Sequence, residues 1–213
     1  MCRLLCVRSR TPFRLSEHLD PFAGVARDSR EYQGHGWGCA WLSPQGWQLH
    51  HDIRPIWEDP NRPDAEATFL LAHARSAFRD EGIVVENNMP FFDGERVFIF
   101  NGELNGVRIK ADGRIGAEKI FNYVKRFDRG DLFAAVERGV AIIEKRTRHI
   151  RAMNFMIGSK EELIVCSHYS QQPEYFQMRR SENEERLIIC SEPYGAHVWE
   201  PIENRRVERH DYR

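Results

Sequence analysis

Along most of the chain apolar residues alternate with polar ones or run in short blocks, and only in the middle do they take helical spacing. Residues 2–7 alternate around aliphatic and β-branched side chains. Residues 37–42 and 47–51 read as a hairpin joined through Ser43-Pro44-Gln45-Gly46. Residues 68–74 are a continuous apolar run suited to a buried strand, as are 96–100, which follow the turn Asp93-Gly94-Glu95. The period then changes. Between 117 and 127, Ile120, Phe121, Val124 and Phe127 share one helical face; between 132 and 143, Leu132, Val136, Val140 and Ile143 do the same. Strand-like runs resume at 152–157, 163–168, 175–178, 187–191 and 207–210. An earlier helix over 15–27 is weaker, because Pro21 interrupts it. Strands, two helices, then strands predict an α+β domain with stacked sheets covered by helices. No repeat and no Gly-, Ser- or Pro-rich linker cuts the chain, so residues 2–213 are expected to form a single domain.

Composition narrows the function classes. A chain of 213 residues can bury a real core without disulfides or metal. Its 31 basic and 32 acidic residues nearly cancel, so no global field points to nucleic acid or an anionic membrane. The local run Lys145, Arg146, Arg148, Arg151 has no interleaved aromatic platform and reads as a helix end and strand start. There is no apolar window of about 18 residues. The first residues, with Arg3, Arg8 and Arg10, lack the apolar region of a secretory signal, so a cytoplasmic location is expected. Five cysteines without any C-x-x-C spacing suggest reduced thiols rather than a disulfide framework or zinc site. His50 and His51 are neighbours that a strand would point to opposite faces. Hydrogen-bonded imidazoles are expected there, with no metal and no other cofactor.

Position 2 carries the first candidate chemistry. Initiator methionine is usually trimmed when the next residue is small. A Cys2 exposed in this way would bear a thiol with pKa about 8.5 beside an α-amine with pKa about 8. One residue then supplies nucleophile and general base. The ordinary alternative is a buried strand cysteine. Asn101 and Gly102 offer a side-chain amide and an unhindered N–H, two donors suited to an oxyanion, or else a hairpin turn. Arg75 ends an apolar strand, where a guanidinium can grip a carboxylate through two parallel hydrogen bonds or form a structural salt bridge. Gly34, Gly36 and Gly38 let backbone approach a ligand or simply make a tight turn; they do not match a dinucleotide fingerprint.

Five segments occur in an order and spacing that resemble one family: Met1-Cys2-Arg3-Leu4-Leu5, Gly34-His35-Gly36-Trp37-Gly38-Cys39-Ala40-Trp41, His73-Ala74-Arg75, Asn87-Asn88-Met89-Pro90-Phe91 and Phe100-Asn101-Gly102-Glu103. Together they resemble the class II glutamine amidotransferases of short single-domain type, which are N-terminal-nucleophile hydrolases. The resemblance covers about the first 120 residues. It implies a four-layer αββα sandwich and an amide hydrolase releasing ammonia or amine from glutamine or a γ-glutamyl-like amide through a thioester. By the same resemblance Cys2, with Met1 removed, is the nucleophile, Asn101 and Gly102 form the oxyanion hole, and Arg75 holds the α-carboxylate. His73 and Gly36 join it in the substrate pocket. Gly116-Ala117 stand where the family has an aspartate and a hydroxyl residue for the substrate ammonium. Either Asp112 or Glu103 substitutes, or the substrate lacks a free α-amine. Met89 and Phe78 also depart from the pattern and make the wall more apolar. The expected partner is a small glutamine-like amide; a separate ammonia-accepting synthase subunit and a homodimer are the protein partners left open. Two other readings stay beside this one: a catalytically silent binding or scaffolding subunit, and a cysteine hydrolase built on an internal Cys166–His168 pair.

Overall fold

The alternation at the chain start becomes β1 (Arg3–Arg14), the central strand of a seven-stranded antiparallel sheet. The structure is a computed structural model that describes residues 1–77 and 81–211. β1 lies between β4 (Glu66–Ala74) and β10 (Arg186–Cys190). Beyond β4 come β2 (Trp37–Ser43) and β3 (Gly46–Asp52), joined by the expected tight turn. Beyond β10 come β9 (Arg179–Glu182) and β11 (Glu200–Pro201). A second sheet runs in the order β12 (Arg206–Asp211), β8 (Glu162–Ser167), β7 (His149–Gly158), β6 (Val97–Asn105) and β5 (Phe91–Phe92).

The period of two sorts the side chains of the first sheet. Leu4, Cys6, Phe69, Leu71, Leu187 and Ile189 join the core shared with the second sheet. Their neighbours Leu5, Val7, Leu70, Ala72, Ile188 and Cys190 pack instead with Leu19, Phe22 and Ala23 of helix α1 (Ser16–Arg27). On the second sheet, Phe98 stacks on Phe121 of helix α2 (Gly116–Lys125), with ring centroids 4.8 Å apart. Helix α3 (Leu132–Lys145) lies beside α2, with Val136, Val140 and Ile143 in the same core. Phe98 therefore faces the helices, and Ile99 and Asn101 face the first sheet. The layers are α1, seven strands, five strands, then α2 with α3. This is the αββα sandwich.

Three local expectations need correction. Residues 175–178 are not a strand: Gln172 turns left-handed at φ 51°, Pro173 starts the one-turn helix α4 (Pro173–Phe176), and the strand begins only at Arg179. Proline at the first helical position needs no N–H partner, so the sequence favours that helix start. The helix α1 runs on through Pro21. The proline removes one bond to the first turn, and burial of Leu19, Phe22, Ala23 and Ala26 outweighs that loss. Asn101-Gly102 is neither a hairpin turn nor a strand end, because β6 continues to Asn105. Phe78 lies outside the described residues.

Candidate active site

Cys2 sits just before β1, half-buried, with its Sγ 3.7 Å from the carbonyl oxygen of Ser76. Arg3 pairs with Ala74, so carrying the antiparallel register one step further sets Cys2 opposite Arg75. Burial pushes the Cys2 thiol pKa up; the N-terminal ammonium and Arg75 pull the other way. Arg75 is buried, and among the described residues its guanidinium hydrogen-bonds to neutral oxygens, Asn88 Oδ1 at 3.3 Å and the Gly82 carbonyl at 2.8 Å. Burial lowers its pKa. A buried cation without a carboxylate is costly, and an anionic group placed there would relieve that cost.

Gly36 supports this arginine indirectly. Its φ is 102°, and a Cβ there would come within 2.2 Å of Asn88 Nδ2. Only glycine leaves room for Asn88, which donates to the Asp52 carbonyl at 2.8 Å and offers its oxygen to Arg75. The Gly36 carbonyl also accepts from the Arg75 N–H at 2.9 Å.

His73 is fully buried on β4, and its Nε2 lies 3.2 Å from the Phe100 carbonyl oxygen. Since a carbonyl can only accept, Nε2 carries the hydrogen. Burial, helped by Arg75, pushes the imidazole pKa down to about 3, so it stays neutral. His73 thus braces one sheet against the other at the peptide preceding Asn101. Asn101 is 1% exposed, and among the described residues neither its Oδ1 nor its Nδ2 has a partner. Buried amides are nearly always hydrogen-bonded, and leaving such a group unmet costs about 1–3 kcal/mol. Gly102 is required sterically: a Cβ would stand 2.2 Å from the Ala152 carbonyl oxygen on β7.

The two carboxylates offered as ammonium holders differ. Glu103 accepts from Asn105 Nδ2 at 3.1 Å and Arg151 Nη1 at 3.2 Å, and these bonds hold its pKa below the usual carboxylate range. Asp112 is exposed ahead of α2, where its backbone oxygen accepts from Asn122 at 2.9 Å. Gly116 is exposed, and a Cβ there would meet nothing within 4 Å. Glu118 is occupied by Arg114, whose Nε and Nη2 lie at 3.0 and 2.8 Å.

A further group around the chain start escaped the sequence reading. The Met1 ammonium pairs with Glu31, and the Met1 carbonyl oxygen accepts from Gln33 Nε2 at 2.7 Å and Tyr175 Oη at 2.6 Å. Arg151 Nη2 links Glu31 at 3.3 Å to Gln172 at 2.8 Å. These residues meet through topology, and no spacing in the sequence signals them. The Cys166–His168 pair does not form: Cys166 Sγ lies 3.5 Å from the Met153 carbonyl, while His168 Nδ1 lies 2.6 Å from Glu144. His50, Asp52 and Asp59 do gather, with ligand atoms within 4.8 Å of one another. Arg54 already bridges the two carboxylates at 2.6 and 3.3 Å, and His50 binds Asp59 at 2.7 Å, so the cluster is charge-compensated by protein groups.

Neither a protein-family model nor a curated protein matches the chain in sequence. Solved structures match in shape. A glutamine aminotransferase class-II domain protein from Silicibacter pomeroyi superposes over 100% of both chains, with TM-score 0.65 and 17% identity. The fold is that of a class II glutamine amidotransferase domain. A predicted glutamine amidotransferase from Pseudomonas aeruginosa covers 99% of this chain and 97% of its own, with TM-score 0.62 and 15% identity. The glutamine phosphoribosylpyrophosphate amidotransferase from B. subtilis, complexed with ADP and GMP, covers 89% of this chain at TM-score 0.63 and 14% identity. This chain spans only 42% of that enzyme. Within the amidotransferase fold, the ends of β1 and β4 and the middle of β6 bring together Cys2, Arg75, His73 and Asn101.

Proposed function

We propose that the protein is an amide hydrolase whose nucleophile is the Cys2 thiol, made N-terminal by removal of Met1. Its substrate is glutamine or a γ-glutamyl-like amide. The observation that carries this reading is Asn101, buried with both amide atoms unpartnered among the described residues, on the strand facing the nucleophile's sheet. An oxyanion supplies the acceptor that Asn101 Nδ2 lacks, and the Gly102 N–H is the second donor. The free α-amine of Cys2 takes the thiol proton as sulfur attacks the carbonyl carbon. The same proton then passes to the departing nitrogen as the C–N bond breaks. The thioester left on Cys2 is hydrolysed by water, with the amine again as base. Arg75, buried with no carboxylate beside it among the described residues, anchors an anionic group on the acyl half. Whether ammonia is released to water or to a separate synthase partner follows from the substrate, and the shape of the domain is compatible with both.

The test is Cys2→Ala on protein whose intact mass shows Met1 gone. Turnover of glutamine and γ-glutamyl amides should disappear while the circular dichroism spectrum is unchanged. A glutamine-like diazoketone should label Cys2. Normal turnover in Cys2→Ala, or a label on another residue, would remove the assignment. Asn101→Ala should lower kcat by about 100–1,000-fold while KM moves little.

A further inference from the structure

Met1 is held in three ways at once. Glu31 faces its ammonium, Gln33 and Tyr175 converge on its carbonyl oxygen at 2.7 and 2.6 Å, and its side chain packs against the cluster formed by Ala152, Tyr169, Tyr175 and Phe176. The two donors are fixed by the protein rather than by Met1. Gln33 is fully buried, and its Nε2 also donates to the Glu31 carbonyl at 2.7 Å. Tyr175 is 4% exposed, with the Arg3 guanidinium 4.1 Å above its ring. Burial raises the Tyr175 pKa, so the phenol keeps its proton and remains a donor. Glu31 is steadied by Arg151, which Glu103 and Gln172 hold in turn. The oxygen that Gln33 and Tyr175 hold is that of the Met1–Cys2 peptide, and it becomes a carboxylate oxygen when that bond is cut. A carboxylate for a cation, two donors for one oxygen and an apolar wall are the recognition set of an α-amino acid.

We propose that the seat filled by Met1 becomes, once Met1 is removed, a binding site for a free α-amino acid with an unbranched apolar side chain. This rests on the reading of Cys2 as an N-terminal nucleophile, because the seat opens only when the Met1–Cys2 bond has been cut. The seat adjoins the α-nitrogen of Cys2. An amino acid bound there covers the amine and the thiol, and slows reagents that approach Cys2. The rival occupant is the new Cys2 ammonium itself, swinging over to Glu31 and closing the seat.

The experiment uses the chain released from a ubiquitin fusion cut directly before Cys2, so that Met1 is absent whatever the natural processing. L-methionine, N-acetyl-L-methionine and L-aspartate are titrated by calorimetry, and the rate of Cys2 alkylation by iodoacetamide is followed with each. L-methionine should bind saturably at one site and slow alkylation. The acetylated compound lacks the cation and aspartate lacks the apolar chain, so each should bind about tenfold more weakly or worse. Glu31→Gln and Tyr175→Phe should each weaken L-methionine by a similar factor. Should a variant unfold, the three ligands on the unsubstituted chain still decide. No saturable binding, equal affinity for L-methionine and its acetylated form, or indifference to both substitutions would overturn the seat. If L-methionine binds as described but no amide is turned over and no label reaches Cys2, the hydrolase reading falls and the seat stands. The opposite result sinks the seat alone.

Discussion

Among the described residues Arg75 carries its charge into the protein beside two neutral oxygens, at 3.3 and 2.8 Å, and on the proposed reading its identity matters more for ligand than for fold. Arg75→Lys replaces a planar fork with a point charge. It should cost about 2–4 kcal/mol in kcat/KM, with a far smaller change in unfolding free energy. The loss should vanish for a substrate without its α-carboxylate; steady-state kinetics on the two substrates checks this. Where the resemblance puts the substrate ammonium, Gly116 leaves open space and Glu118 is tied to Arg114. N-acyl glutamines should therefore be hydrolysed at rates comparable with glutamine. If acylation abolishes turnover, another carboxylate holds the ammonium, and Asp112→Asn and Glu103→Gln would identify it. Cys2, Arg75 and Asn101 could be put forward as candidates from the sequence because each carries its chemistry in its own residue type. Glu31, Gln33 and Tyr175 could not. Tyr175 reaches Met1 across 174 positions, and nothing local to either announces the meeting.

The strand β6 depends on a close approach that a methyl group would spoil. Gly102→Ala sets a Cβ against the Ala152 carbonyl at 2.2 Å, so β6 must shift relative to β7 and take Asn101 with it. We expect a destabilisation of about 1–3 kcal/mol in urea unfolding and a larger proportional loss of kcat than of stability. Unchanged kcat would separate the strand's position from the chemistry. Elements with clear periodicity, such as β4, α2 and α3, were readable because burial imposes that period. The errors fell where periodicity competes with backbone chemistry. The run 175–178 is apolar enough for a strand, yet the left-handed Gln172 and Pro173 commit it to a helical turn. In α1 a proline was outvoted by an apolar face, and β11 has only two residues, too few for any pattern.

Two neutral histidines tie the layers to pH. His18, between α1 and the first sheet, lies 2.7 Å from Tyr194 Oη, and burial pushes its pKa down to about 4. His73, between the sheets, is pushed down to about 3. In the unfolded chain both titrate near 6.5. Above that pH neither affects stability. As pH falls through 6.5 toward 4 and 3, the unfolded state gains protons that the fold refuses, and each histidine costs about 1.4 kcal/mol per pH unit. Urea midpoints at pH 7, 6 and 5 should fall accordingly, and His18→Gln should flatten the slope by about one proton. An unaltered slope would show that His18 titrates normally in the fold. The grip on Met1 has a consequence in time. With its side chain 10% exposed, its ammonium paired and its carbonyl clamped, the first peptide bond is closed to an aminopeptidase in the folded molecule. Tyr175 leaves the ribosome late, so at about 5–20 residues per second trimming has a window of about 10–35 s before the clamp can assemble. Purified aminopeptidase should trim the Met1-bearing chain readily in urea and barely when folded. On the proposed reading of Cys2, a chain that closes first keeps Met1 and stays without its nucleophile.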